Sequence, residues 1–170
     1  MRSLTFSASI LMAQYAAYHR DRRNIATHLV GIPLIFLSIA LFLVHPLAGE
    51  LTWAWAVWLL TSLWYLTRGQ WVLGLATALV NGLLVALAHA LAQQAPAWGL
   101  APWVLALGLF VVGWAFQFVG HYWEGRKPAF VDDVVGLLVG PMFVVGEVLM
   151  LAGLLGPLKL QIEAEVGPTR

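Results

Sequence analysis

The chain has 170 residues, of which 61% are hydrophobic and 10% charged, where a soluble domain carries roughly 45–50% apolar and about 25% charged residues. Nine basic and eight acidic side chains cannot cover a water-facing surface of this size, so an ordinary soluble globule is excluded and the chain must face lipid. A net charge of +1 excludes a nucleic-acid or other polyanion binder by bulk charge, and the absence of cysteine excludes disulfides, thiolate zinc sites and iron–sulfur clusters.

The segment from Leu4 to His19 is apolar in part but carries Ser7, Ser9, Gln14, Tyr15 and Tyr18, and it ends in Arg20-Asp21-Arg22-Arg23. That pattern predicts an interfacial helix with a basic loop over residues 1–23. The basic cluster follows the apolar stretch, the reverse of a secretory signal. Runs free of Asp, Glu, Lys and Arg then predict spans at Val30–Val44, Leu51–Leu66, Trp71–Leu91 and Trp103–Gly120. The last two are separated by Gln93, Gln94, Pro96, Gly99 and Pro102. A fifth span is predicted at Phe130–Leu155, whose internal charges are Asp132, Asp133 and Glu147. The tail over residues 157–170 is polar and reads as a solvated end. The expected fold is an all-α membrane helical bundle, one domain over residues 1–170, with about five spanning helices plus the interfacial one. The tryptophans concentrate near predicted span ends, as an interfacial aromatic belt does.

Five spans put the amino-terminal segment, the loop at Arg68–Gln70 and the loop at His121–Ala129 on one face. The turn at His45–Glu50, the loop at Gln93–Pro102 and the carboxyl tail fall on the other. Arg2, Arg20, Arg22, Arg23, Arg68, Arg126 and Lys127 then lie on the first face and Lys159 and Arg170 on the second, so the first face is expected to be cytoplasmic.

Three of the five histidines, His19, His28 and His121, reach that same face and can converge; His45 and His89 sit towards the opposite one. Neutral imidazoles are the commonest metal ligands, and ionisable groups in a bilayer tend to mark function. A three-histidine metal site is therefore expected, with Tyr15, Asn24, Gln117, Glu124 and Asp132 around it. Glu124 follows His121 by three residues and shares its helix face. It either completes a histidine–carboxylate ligand set or receives the distal N–H of a ligating histidine, the second being preferred. Glu147, inside the last predicted span, is expected in the far half of the bilayer as a bundle-stabilising polar contact.

Tyr15-x-x-Tyr18-His19, Asn24-x-x-x-His28 and Pro33, followed by Gln117-Phe118-x-Gly120-His121-x-x-Glu124 and Pro128-Ala129, resemble the 2-hydroxy fatty acid dioxygenases of phytosphingosine degradation. The resemblance implies an Fe(II)-dependent enzyme of fatty acid α-oxidation. It would convert a long-chain 2-hydroxy fatty acid and O₂ to the acid one carbon shorter and CO₂. Carried over residue by residue, it makes His19, His28 and His121 the metal ligands, with Asn24, Gln117 and Glu124 as accompanying polar positions. Together with Tyr15 these form the candidate catalytic set. It also implies an endoplasmic reticulum membrane location in a eukaryote and an inner-membrane one in a bacterium.

A 2-hydroxy acid chelates through its carboxylate and hydroxyl, which suits three protein ligands with open positions opposite them. Its acyl chain would lie between spans, among membrane lipid. Arg68, Arg126 and Lys127 could steer the carboxylate, although the topology bias accounts for all three. The alternatives are a non-enzymatic lipid-binding or scaffold bundle and another metal-dependent lipid enzyme, such as a desaturase. The lack of any His-x-x-His-His cluster argues against the desaturase.

Overall fold

Residues 4–128 and 135–170 are described in a computed structural model of the chain. Asp132 and Asp133, and the start of the predicted fifth span, lie outside them. Four helices run alternately up and down: α2 (Arg22–Phe42), α3 (Trp53–Leu66), α4 (Trp71–Gln94) and α5 (Pro102–Glu124). A small antiparallel ribbon, β1 (Pro46–Ala48) and β2 (Leu51–Thr52), joins α2 to α3, and a 3₁₀ turn (Ala95–Trp98) leads from α4 to α5. Three further helices, α1 (Ala8–Ala16), α6 (Val135–Leu151) and α7 (Gly156–Val166), gather at the end where α2 begins and α5 finishes. That end is called proximal here, and the ribbon end distal.

The expectation of an all-α fold holds, with the short ribbon as the addition. The helices α2, α5 and the stretch Trp71–Trp98 are long and apolar enough to cross a membrane, and α6 with α7 would pass that test only as a pair bent by 113°. Trp53, Trp98 and Trp103 stand exposed at the distal end and Trp71 at the proximal end, as membrane-interface residues do. Helix α2 begins earlier than hydropathy predicts because Asp21 caps it, its carboxylate accepting the Arg23 backbone N–H at 2.8 Å. The Arg23 guanidinium beside it holds the Asp21 carboxyl down at about 2, so the cap stays charged.

The pairing that positions the site is α2 against α5. The buried face of α5 is Gly113, Gln117, Gly120, His121 and Glu124, a helical repeat; that of α2 opposite is Asn24, Thr27, His28, Gly31 and Ile32. Glycine lets the two backbones touch. A Cβ on Gly113 would stand 2.9 Å from the Gly31 carbonyl oxygen and 3.0 Å from the Ile35 amide nitrogen, while one on Gly108 of the same helix meets nothing within 4 Å. Gly113→Ala should therefore cost about 1–3 kcal/mol by forcing the helices apart. Gly108→Ala should be neutral or slightly stabilising. Thermal unfolding of the two variants in detergent checks this, and equal midpoints would refute the close-packing account.

Helix α1 is tucked in at the proximal end: Leu11, Met12 and Ala16 are fully buried, because α6 and α7 fold over it. The prediction of a fifth span is corrected, because α6 does not run to the distal end. The Tyr65 hydroxyl, in the last turn of α3, donates to the Leu138 carbonyl at 2.9 Å. Gly140 lies against Ile32 and Tyr15, and Gly146 against Leu73 in the first turn of α4. The helix thus lies across the proximal end, and the reversal at Ala152–Leu155, with Gly153 at φ +78°, keeps α7 there too. Glu147 consequently lines a hollow with Arg20, Lys159 and Glu163 at the histidine end, not in the distal half. The tail is likewise no free end on the opposite face. It folds as α7, with Leu158 and Ile162 buried, and Arg170 pairs with Arg20 and Arg22 through the backbone.

Candidate metal centre and substrate groove

His28 sits in the second turn of α2 and His121 in the last turn of α5, on the faces that meet. His19 comes from the linker after α1. The three offer ring nitrogens that all lie within 4.8 Å of one another, and all three side chains are buried. Their ring centroids are 4.4 to 5.0 Å apart, and Tyr15 stacks flat on His19 at 4.3 Å.

Hydrogen bonding fixes which nitrogens face inward. His19 Nδ1 lies 2.7 Å from the Tyr15 carbonyl oxygen and His28 Nδ1 2.9 Å from that of Asn24, each four residues earlier. A carbonyl only accepts, so both Nδ1 atoms carry the hydrogen and both neutral rings turn a bare Nε2 inward. Those two Nε2 atoms are 3.0 Å apart. Two lone pairs at that distance repel unless a cation or a proton sits between them. Two nitrogens bound side by side to one ion at about 2.0–2.1 Å stand about 2.9–3.4 Å from each other. The donor set therefore fits a metal ion.

Glu124 is buried one turn beyond His121, outside this ligand group. Its Oε2 accepts the backbone N–H of Arg20 at 2.9 Å and of Asp21 at 2.8 Å, and the Asn24 amide at 3.0 Å. Its Oε1 is 3.7 Å from the Arg170 guanidinium. It receives no distal N–H from His19 or His28, because the Tyr15 and Asn24 carbonyls take those groups. The carboxylate instead pins the linker that carries His19 to the end of α5. Asn24 is spent the same way, its amide also donating to the Tyr18 carbonyl at 3.1 Å.

From the histidines a groove of about 230 Å³ runs along α2 and α5 under α6. Tyr15, Gln117 and His121 form its head, and Ile32, Ile35, Phe36, Ile39, Phe110 and Trp114 its apolar walls. Gln117 keeps its Nε2 buried with no hydrogen-bond partner. Sequence reasoning did not pick out the walls, although the signal was present. Ile32, Ile35, Phe36 and Ile39 recur at helical spacing on α2, and Phe110, Trp114, Gln117 and His121 on α5. By hydropathy alone both stripes are simply apolar span. His89 stays at the distal end, bonded to Thr52 at 3.0 Å and stacked on Trp55, and His45 is exposed beside it.

Comparison with known proteins gives the chain's family. A family model described as 2-hydroxy-palmitic acid dioxygenase Mpo1-like matches residues 6–151. The 2-hydroxy-palmitic acid dioxygenase MPO1 of Saccharomyces cerevisiae is 32% identical over 155 residues, which cover 89% of this chain and 85% of the yeast protein. No solved structure matches the chain. The matched region takes in all three histidines, Glu124 and both walls of the groove. This chain belongs to the Mpo1-like family.

Proposed function

We propose that the protein is a membrane-embedded, iron(II)-dependent dioxygenase of long-chain 2-hydroxy fatty acids. The reaction is RCH(OH)COOH + O₂ → RCOOH + CO₂ + H₂O, which balances with no external reductant. The observation that carries this is the pair of inward Nε2 atoms 3.0 Å apart, with His121 beside them at the head of an apolar groove. The name of the yeast relative supports the substrate class.

In this reading His19, His28 and His121 hold the metal. When bound, the ion supplies a Lewis-acid seat for the hydroxy acid and the means to activate O₂. The remaining work belongs to the chain's own side chains. The groove walls bind the alkyl tail and keep water from the head. Tyr15 holds the His19 ring by stacking, and the Gln117 amide supplies a polar contact at the level of the acid. Asn24 and Glu124 act at one remove, through the linker. The decisive experiment loads purified protein anaerobically with Fe(II), adds 2-hydroxypalmitate and air, and follows pentadecanoic acid and CO₂. Release of both in equal amounts, with palmitate left untouched, supports the proposal; tight lipid binding without O₂ uptake favours a non-enzymatic lipid-binding bundle instead.

The groove has a measurable length. From His121 to Phe110, and from His28 to Ile39, the helices advance about 16 Å. Ile39 is 46% exposed at the groove's distal limit, so a larger side chain there need not disturb packing. Ile39→Trp should exclude about two methylenes from burial, at about 0.8 kcal/mol each, lowering kcat/KM for the C16 acid about tenfold against the C12 acid. An unchanged chain-length profile would remove the groove from the account.

The histidine end is also proposed to face the cytoplasm. All the described Lys and Arg residues, now including Lys159 and Arg170, gather there. Because the chain has no cysteine of its own, Glu50→Cys in the distal turn should react with an impermeant maleimide added outside intact cells. Labelling only after lysis would reverse the orientation.

A further inference from the structure

His28 and His121 are set within long helices, whose backbone ladders fix them. His19 is not. It lies in the linker between α1 and α2, where its own N–H donates to the Ala16 carbonyl at 2.9 Å and the Asn24 amide donates to the Tyr18 carbonyl, and the position of such a segment depends on what else holds its backbone. One set of holders belongs to α5, namely Glu124 on the Arg20 and Asp21 amides and, just beyond, Arg126 Nη1 on the Ala17 carbonyl at 2.7 Å. The other belongs to the tail. The Arg170 N–H donates to the Arg20 carbonyl at 2.9 Å, and the Arg22 N–H donates to the Arg170 carbonyl at 3.0 Å, a two-bond bracket across the linker. Arg20 Nη1 donates to the Gly167 carbonyl at 2.8 Å, and the Arg170 guanidinium faces Glu124 Oε1 at 3.7 Å. The tail thus grips the His19 linker from one side while α5 grips it from the other.

We propose that Gly167–Arg170 is a positioning strap for the metal centre, setting where His19 stands relative to His28 and His121. It is a feature of this chain beyond the family-matched region, which ends at residue 151. The inference rests on the metal reading above. Metal sites require their ligands held to within about 0.5 Å, and loss of an outer-shell partner typically costs 10–100-fold in metal affinity. The strap acts by the same route, through the linker backbone.

Co(II) is the probe, because its visible absorption responds to the coordination number and geometry of the ion and so to the loss or displacement of a ligand. Deletion of residues 167–170 should weaken Co(II) binding by at least about tenfold and shift the spectrum to that of His19→Ala. Arg170→Ala, which keeps the backbone bracket and removes only the charge, should weaken binding severalfold, with Arg170→Lys recovering most of it. A purely structural tail would lower the unfolding temperature and leave the Co(II) spectrum as in the unaltered protein, and that result overturns the strap. Should the deletion fail to fold, wild-type affinity and spectrum in Arg170→Ala would do so. The metal reading fails separately: in that case His19→Ala itself binds Co(II) like the unaltered protein.

Discussion

His28→Ala should abolish the stabilisation that metal confers, and with it turnover of 2-hydroxypalmitate. His28 and His19 turn two Nε2 lone pairs towards each other at 3.0 Å; with no ion between them such a pair repels, so removing one imidazole relieves a repulsion while leaving a small cavity. The metal-free variant should accordingly unfold close to the unaltered protein. With metal the two part company. An ion present at a hundred times its Kd adds about 2.7 kcal/mol to the folded state, and a site reduced to two histidines forfeits most of that. Thermal scans with and without Fe(II) or Co(II) read the difference directly. The same pair could be satisfied by one shared proton, and then neither protein would gain from metal; that outcome would sink the metal centre and the dioxygenase proposal together.

The second large effect is expected at Glu124. Its carboxylate is almost wholly buried and gathers three N–H donors on one oxygen, with Arg170 facing the other. Glu124→Ala leaves the Arg20 and Asp21 amides and the Asn24 side chain without an acceptor in a dry site, at a cost of about 3–5 kcal/mol. Glu124→Gln keeps one acceptor oxygen and should cost about half as much. Both variants should also weaken metal binding, since the linker they release carries His19. Unfolding and Co(II) titration of the two in the same detergent check this. If Glu124 were instead a metal ligand, Glu124→Gln would change the Co(II) spectrum as strongly as a histidine substitution does.

These two residues also mark how far sequence reasoning reached. The convergence of His19, His28 and His121 could be argued from hydropathy, because spans of known length assign each residue a depth, and depth was enough to separate this group from His45 and His89. The spacing of His121 and Glu124 on one helix was equally legible. The partners of Glu124 were not. They are backbone amides of a linker about a hundred positions away and a tail arginine, and no local pattern announces a contact of that kind. The groove was half visible: its two apolar stripes lie in the sequence at helical spacing, but a stripe facing lipid and a stripe facing a cavity have the same composition.

The sequence by itself determined the apolar, helical character of this chain and the common depth of its three converging histidines. Both follow from apolar length and the cost of burying charge. Only the tertiary structure decided that α6 and α7 fold back over α1, bringing Glu147, Lys159 and Arg170 to the histidine end. The physical reason is that burial in protein and burial in lipid remove the same apolar surface from water. Hydropathy therefore cannot tell a helix that crosses the membrane from one that caps the bundle, and only side-chain packing can.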